Sequence, residues 1–438
     1  MQPTHPTQPD LYSTPPYKRS RRAYCMQAAF EYFIAILVSD AYLAKLLMYV
    51  GLDDWLIGII SSFISAAFLF QLTAVFLVRR IRNTKRTVVF FNILGCVLFV
   101  SLYLIPFLPV SGGVKTVLII LCLLFAYFGN YFVGSMLFKW ANSFVDPAKR
   151  ASYSAAKEMI SLLSGMVFTL IVGVVIDRCE SLGRLEAGFL FIAVAGLILA
   201  VCCLVCLLMI AKPHAEVSAA EPHPSHSMRE VLSNTLGNKN FVHVIILMSL
   251  WSAAKYMTVG FLGTYKTGDL LLTVGTIQII NITGNLCRFA LSKPFGRYSD
   301  RTSFARGMEL ALCIAAAAFA LNMFTTKSTW WCIILYTVLY DVSFAGTNQN
   351  SSNIVYSYVD ETYFVEAMAI KNSISGVVGF ASSLVGARIL SVVQNAGNTV
   401  FGIPAAGQQV LSAISCVLTV VCVGYLHGVI AKQKVMKQ

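Results

Sequence analysis

Twelve apolar runs of about 20 residues, set off by short charged or turn-forming stretches, dominate this chain and restrict it to a lipid solvent. A run of that length crosses a bilayer core as an α-helix, and in hydrocarbon a helix satisfies its own backbone hydrogen bonds. The runs fall near 28–50, 55–78, 87–109, 114–139, 155–176 and 186–211, then 241–264, 270–292, 307–326, 330–350, 367–392 and 406–430. Only 12% of the 438 residues are charged, against about a quarter in a soluble domain. The sequence therefore predicts an all-α membrane protein with twelve transmembrane helices.

The one long polar interval, 212–240, divides the runs six and six. This predicts a polar tail (1–23), a first six-helix bundle (24–211), a linker (212–240), a second bundle (241–430) and a short tail (431–438). Lys and Arg gather on one side of the expected membrane. With the amino terminus inside, the inner segments hold Lys18, Arg19, Arg21, Arg22, Arg79, Arg80, Arg82, Lys85, Arg86, Lys139, Lys149, Arg150 and Lys157. Lys212, Arg229, Lys239, the basic residues of 293–306, Lys432, Lys434 and Lys437 join them. The outer segments hold Lys115, Arg178, Arg184, Lys266 and Lys327. Both termini are therefore expected in the cytoplasm, and the net charge of +13 is a topology signal with no bearing on nucleic acid. No cleavable signal peptide is apparent, so the first helix is expected to be an uncleaved anchor.

Most of the twelve cysteines sit inside apolar runs, as Cys96, Cys202, Cys203 and Cys422 do, and show no metal-ligand spacing. His214, His223 and His226 lie in the Pro- and Ser-containing linker and read as solvated. No metal or other cofactor is expected. The chain has no Gly-x-x-x-x-Gly-Lys-[Ser/Thr] loop for an ATP-driven pump and no His-Glu-x-x-His cluster for a membrane enzyme. Its polar segments are too short to fold as a receptor's signalling domain.

An internal repeat appears at an offset of 214 residues: Val145/Val359, Asp146/Asp360, Ala155/Ala369, Lys157/Lys371, Ile160/Ile374, Ser161/Ser375 and Gly165/Gly379. Gln71/Asn285, Leu77/Leu291 and Arg79/Lys293 extend it. The offset carries six spans onto six with orientation preserved, which predicts two pseudo-symmetric bundles around a central cavity, rocking to give alternating access.

Between spans 8 and 9 the chain reads Gly296-Arg-Tyr-Ser-Asp300-Arg301. Together with the twelve-span plan, this segment resembles the loop motif Gly-x-x-x-Asp-Arg of the major facilitator superfamily. The resemblance covers about residues 25–430 and implies a latch role for Gly296, Asp300 and Arg301 in an inner loop. A carboxylate near a helix amino terminus can hold one of two states. The first-half counterpart, Arg79 to Arg86, has neither glycine nor aspartate. Span 4 lacks the intramembrane arginine of many proton antiporters, span 5 the Gly-Pro signature of drug exporters, and the post-span-6 segment the classical sugar-porter sequence. The sequence resembles a less characterised, sugar-transport-like branch of bacterial facilitators, and the resemblance implies a bacterial inner (plasma) membrane protein.

Ionisable residues within lipid are costly and mark function. Asp341, Ala345, Asn348 and Ser352 share one face of span 10, at helical spacing. Trp251, Lys255 and Thr258 do so in span 7, with Tyr256 alongside, and span 4 adds Tyr127, Asn130 and Tyr131. Asp40, Tyr127, Asn130, Tyr131, Trp251, Lys255, Tyr256, Asp341 and Asn348 are the expected substrate ligands. Each polar face has buried interhelical structure as its alternative role, and Trp251 has plain packing. Asp40 and Lys255 lie at corresponding depths under the repeat, and are expected to face each other as a bridge or as ligands. Asp40 and Asp341 are also the candidate proton carriers, since desolvation and hydration shift a carboxylate's proton affinity. Glu31 is expected to pair with a basic loop, and Arg388 to be structural or an outer gate.

The expected function is that of a secondary active transporter, not an enzyme, importing a small hydrophilic metabolite such as a sugar or glycoside with protons. Sodium coupling, uniport and efflux of amphipathic compounds are the alternatives. Its expected partners are the bilayer, the solute and the coupling ion, and the chain is expected to act as a monomer.

Overall fold

The computed structural model describes residues 12, 14–77, 81, 83–145, 150–212, 235–359, 364–400 and 402–432. Arg79, Arg80, Arg82, Asp146, Lys149, Asp360, most of the expected linker with its three histidines, and most of both tails lie outside the described residues. The described chain is helical apart from a two-stranded antiparallel hairpin, β1 (Thr399–Val400) and β2 (Ile403–Pro404).

The helices are α1 (Pro15–Leu37), α2 (Asp40–Val50), α3 (Asp54–Ser61), α4 (Phe63–Leu77), α5 (Thr84–Ser101), α6 (Gly112–Asn142), α7 (Arg150–Ser181) and α8 (Leu185–Met209). They continue with α9 (Lys239–Thr258), α10 (Val274–Arg301), α11 (Phe304–Asn322), α12 (Cys332–Tyr356), α13 (Phe364–Asn395) and α14 (Gly407–Gly428). Among the described residues, nine helical stretches are long and apolar enough to cross a membrane, and the bent pair α1–α2 makes a tenth. The remaining two expected spans are α10 and α12, of 28 and 25 residues. Both exceed the length of a span, and polar residues keep their apolarity low. Those polar residues recur in the site below.

Local chemistry sets the helix ends. The side chains of Asn83, Asn238, Thr273 and Ser303 cap α5, α9, α10 and α11 by accepting backbone N–H bonds. Gly51, at φ 88°, ends α2 in the left-handed conformation that glycine adopts without strain.

Contacts group the described residues into two units. One draws on Met1–Val38, Phe76–Ser111 and Val117–Ser225; the other draws on Ser39–Val75, Gly112–Thr116 and His226–Gln438. In the first unit α1 packs on α7 and α8, and α5 packs on α8. In the second α9 packs on α13 and α14, and α11 packs on α14. These are the same pairings one repeat apart. The repeated glycines show why. A Cβ on Gly165 of α7 would lie 2.6 Å from the Tyr32 ring of α1. One on Gly379 of α13 would lie 2.6 Å from the Tyr256 ring of α9. Glycine here permits helix contact that any side chain would block.

The second unit's core gathers Phe241, Leu247, Trp251, Leu312, Phe319, Ile333 and Tyr336. Elsewhere large apolar side chains such as Phe125, Val174, Ile198 and Val420 stand exposed, as lipid-facing surfaces require.

Candidate functional site

Two helices of the second unit's site break where they carry charge. The first span is broken between α1 and α2. Asp40 opens α2 at φ 44°, a left-handed conformation that short polar side chains tolerate better than most. Beyond α9 the chain leaves α geometry through a 3-10 turn (Val259–Phe261), one α turn (Leu262–Thr264) and a π turn (Tyr265–Asp269). This irregular stretch passes directly over Asp40. A Cβ on Gly263 would lie 2.8 Å from the Asp40 carbonyl oxygen and 2.9 Å from the Ala44 Cβ.

That approach delivers Lys266, whose side chain is 5% exposed, to the Asp40 carboxylate at 3.2 Å. Asn281 of α10 joins both: its Nδ2 donates to Asp40 Oδ2 at 2.9 Å, and its Oδ1 accepts from Lys266 Nζ at 3.5 Å. The three residues form a closed polar triangle at the meeting of two broken spans.

Asn281, Gly284, Asn285 and Arg288 continue along one face of α10. The Asp341 carboxylate of α12 rests against Gly284, where a Cβ would lie 2.1 Å from its Oδ2. Asp341 feels the charges of Arg288, Lys266 and Asp40. The Arg288 guanidinium lies 4.7 Å from the centroid of the Phe344 ring, and the Lys255 ammonium lies 4.9 Å from that of the same ring. Lys255 is also 4.9 Å from the Tyr256 ring centroid. Tyr336 and Tyr340 stack at 5.6 Å, and their hydroxyls are buried without a hydrogen-bond partner among the described residues. Three cations, two carboxylates and four aromatic rings thus belong to one unit, where each charge carries a desolvation cost.

Several expectations are corrected here. Asp40 bridges to Lys266, not Lys255, because the irregular turn after α9 brings Lys266 inward while Lys255 sits on aromatic rings. Lys266, read from sequence as a loop residue, is buried. Glu31 is held by two amides, those of Gln27 and Asn92, rather than by a basic loop. Gly296, Asp300 and Arg301 lie on the last turns of α10, not in a loop. The helical hydrogen-bond ladder runs on to Thr302, which bonds Tyr298, and Ser303 already caps α11. Asp300 and Arg301 are exposed there.

Trp251 is 4% exposed and packs in the apolar core. Asn348 is exposed on α12. Tyr127, Asn130 and Tyr131 belong to the first unit. Tyr127 meets Phe99 edge-on at 5.1 Å, and Asn130 lines a cavity. Arg288, Asn281 and Lys266 complete the site and were missed in the sequence. The spacing of Asn281, Asn285 and Arg288 within an apolar run was the signal for two of them.

A family model described as Major Facilitator Superfamily matches residues 22–387. The chain belongs to the Major Facilitator Superfamily. A search of the curated proteins finds no match. Among solved structures, the nucleoside transporter NupG aligns at TM-score 0.69 and 15% identity, over 95% of this chain and 100% of that one. An inward-facing bacterial homologue of the human lysosomal transporter Spinster aligns at 0.69 and 12%, over 94% and 97%. A D-xylose-proton symporter aligns at 0.67 and 12%, over 94% and 97%. These likenesses are in fold. The family match and the apolar helices make this Major Facilitator Superfamily member a multi-pass, predominantly helical membrane protein.

Proposed function

We propose that the chain is a secondary active transporter that works by alternating access and imports a small hydrophilic, hydroxyl-bearing metabolite, such as a sugar or glycoside, together with protons. The observation that carries this reading is the Asp40–Lys266–Asn281 triangle beside Asp341 and Arg288. Each carboxylate has a cation as neighbour, so protonating it loosens an electrostatic tie. Irregular helix segments that carry charge are the places where transporters of this architecture bind solutes and ions. Lys255, Tyr256 and Phe344 offer a cation and aromatic faces to the solute; Asp40 and Asp341 serve as proton carriers. The Gly296–Asp300–Arg301 segment acts as a latch at the end of α10. A nucleoside transporter and a xylose symporter among the structural neighbours agree with a hydroxyl-bearing cargo.

In this reading the bundles 24–211 and 241–430 rock against each other. Both termini face the cytoplasm of a bacterial inner membrane, as the distribution of Lys and Arg supports, and the chain works as a monomer. Uptake into proteoliposomes tests it, with labelled monosaccharides and nucleosides and an imposed inward proton gradient. Accumulation that a protonophore abolishes is the expected result. Accumulation indifferent to the protonophore would overturn proton coupling.

A further inference from the structure

The site of the second unit carries a positive charge that the chain does not neutralise. Of its three cations, Lys266 is met by Asp40 and Asn281. Lys255 and Arg288, both half-buried, make no hydrogen bond or ion pair with any described residue. What they share is the Phe344 ring. The Lys255 ammonium lies 4.9 Å from its centroid and the Arg288 guanidinium 4.7 Å, so the sum, about 9.6 Å, caps their separation. Like charges at one ring repel, and cation–π attraction is small against the cost of a charge within a membrane span.

Asp341 answers one of the two in part. Its carboxylate rests against Gly284, one turn along α10 from Arg288, and feels the Arg288 charge without pairing to it. Counting Lys255 and Arg288 against Asp341 leaves a surplus of one positive charge, and the Asp40–Lys266 pair does not alter it. A neutral solute would leave that surplus in place, and so would a zwitterion. A monoanion removes it. A phosphate monoester, at about −1.5 to −2 near pH 7, carries too much charge, whereas a carboxylate carries the single charge required. The unused donors suit a carboxylate too: Arg288 has a planar fork for both oxygens, and Lys255 a point charge with three N–H groups. Asn285, half-buried on the same face of α10 and without a hydrogen bond to a described residue, is left for hydroxyls.

We infer that the solute is an acid as well as a polyol: a hydroxyl-bearing monocarboxylate of sugar-acid type, its carboxylate held by Arg288 and Lys255 beside Phe344. Asn285 takes its hydroxyls, and the Tyr256 and Phe344 rings its apolar face. The inference rests on the proposed transport reading and narrows the cargo from hydroxyl-bearing to hydroxyl-bearing and singly anionic.

Equilibrium binding to the purified full chain in detergent at neutral pH tests it. The acid probes are radiolabelled D-gluconate and D-glucuronate; D-glucose, D-glucosamine and D-glucose 6-phosphate are the neutral, cationic and phosphorylated counterparts. An acid probe should bind saturably, at least about tenfold more tightly than any counterpart. Arg288→Gln and Lys255→Met should each lower the ratio of acid to D-glucose affinity at least about tenfold. In the unsubstituted protein the same acid should raise the midpoint of thermal unfolding and D-glucose at equal concentration should not, a result independent of how the variants fold. The inference falls if neither acid binds, if D-glucose or the phosphate ester binds as tightly, or if either variant keeps the ratio. Binding needs no gradient. Acid binding without proton-driven uptake would sink the transport reading alone, and proton-driven uptake of D-glucose with no preference for either acid would sink the acid site alone.

Discussion

Replacing Lys266 by Met removes one member of the 3.2 Å ion pair with Asp40 and leaves an apolar side chain of similar length in a site only 5% exposed. Breaking a fully buried pair costs about 3–5 kcal/mol, because the remaining charge is stranded. Asp40 is less confined than that. Its side chain is 28% exposed and it keeps the Asn281 Nδ2 bond at 2.9 Å. Part of the stranded charge is therefore solvated, which brings the expected loss to about 2 kcal/mol. Asp40→Asn alone should cost about as much, since it leaves the more deeply buried Lys266 unpaired. The double variant Asp40→Asn/Lys266→Met strands no charge and should be more stable than Lys266→Met alone. The assay is SDS-titrated unfolding of the purified chain in mixed micelles, with all four corners of the cycle measured. A favourable coupling of about 2–3 kcal/mol is expected. Single costs that simply add in the double variant would refute the argument that the pair acts as a unit.

Other substitutions probe other parts of the account. Gly379→Ala places a Cβ 2.6 Å from both Ser65 Oγ and the Tyr256 ring, and Gly165→Ala places one 2.6 Å from Tyr32. Each should lower stability by about 1–3 kcal/mol in the same unfolding assay, and comparable losses would show that the repeated glycines do the same job. Arg288→Lys keeps the charge but loses the planar guanidinium stacked on Phe344. Uptake should fall on the order of tenfold with protein level unchanged. In a cysteine-free background, Ser111→Cys and Thr302→Cys should react with an impermeant maleimide from opposite sides of the membrane, Thr302→Cys from the cytoplasmic side. Labelling of both from one side would contradict the topology.

The span plan and the repeat were legible because lipid imposes length and apolarity on each helix, and because Gly165 and Gly379 answer one packing demand twice. Lys157 and Lys371 repeat as well. Lys157 bonds Tyr24 of α1, and Lys371 bonds Ser351 of α12. The site was read less completely. Nothing at Val38–Ser39 breaks a helix by composition; the bend coincides with tertiary contacts, among them the Tyr103 hydroxyl donating to the Leu37 carbonyl. The irregular turns at 259–269 likewise depend on what they cross, so Lys266 read as a loop cation. Asp40 and Asp341 were found because acids stand out in apolar runs, whereas their partners are visible only once α10 and the end of α9 are placed beside them.

In the proposed mechanism a carboxylate beside a cation carries the coupling proton. Comparing Asp341→Asn with the unsubstituted protein in proteoliposomes, by gradient-driven accumulation and by equilibrium exchange of the same labelled solute, isolates that step. Proton coupling through Asp341 predicts that the variant loses accumulation and keeps exchange, since the solute can still cross while the proton cannot be carried. Undiminished, protonophore-sensitive accumulation by Asp341→Asn would contradict it.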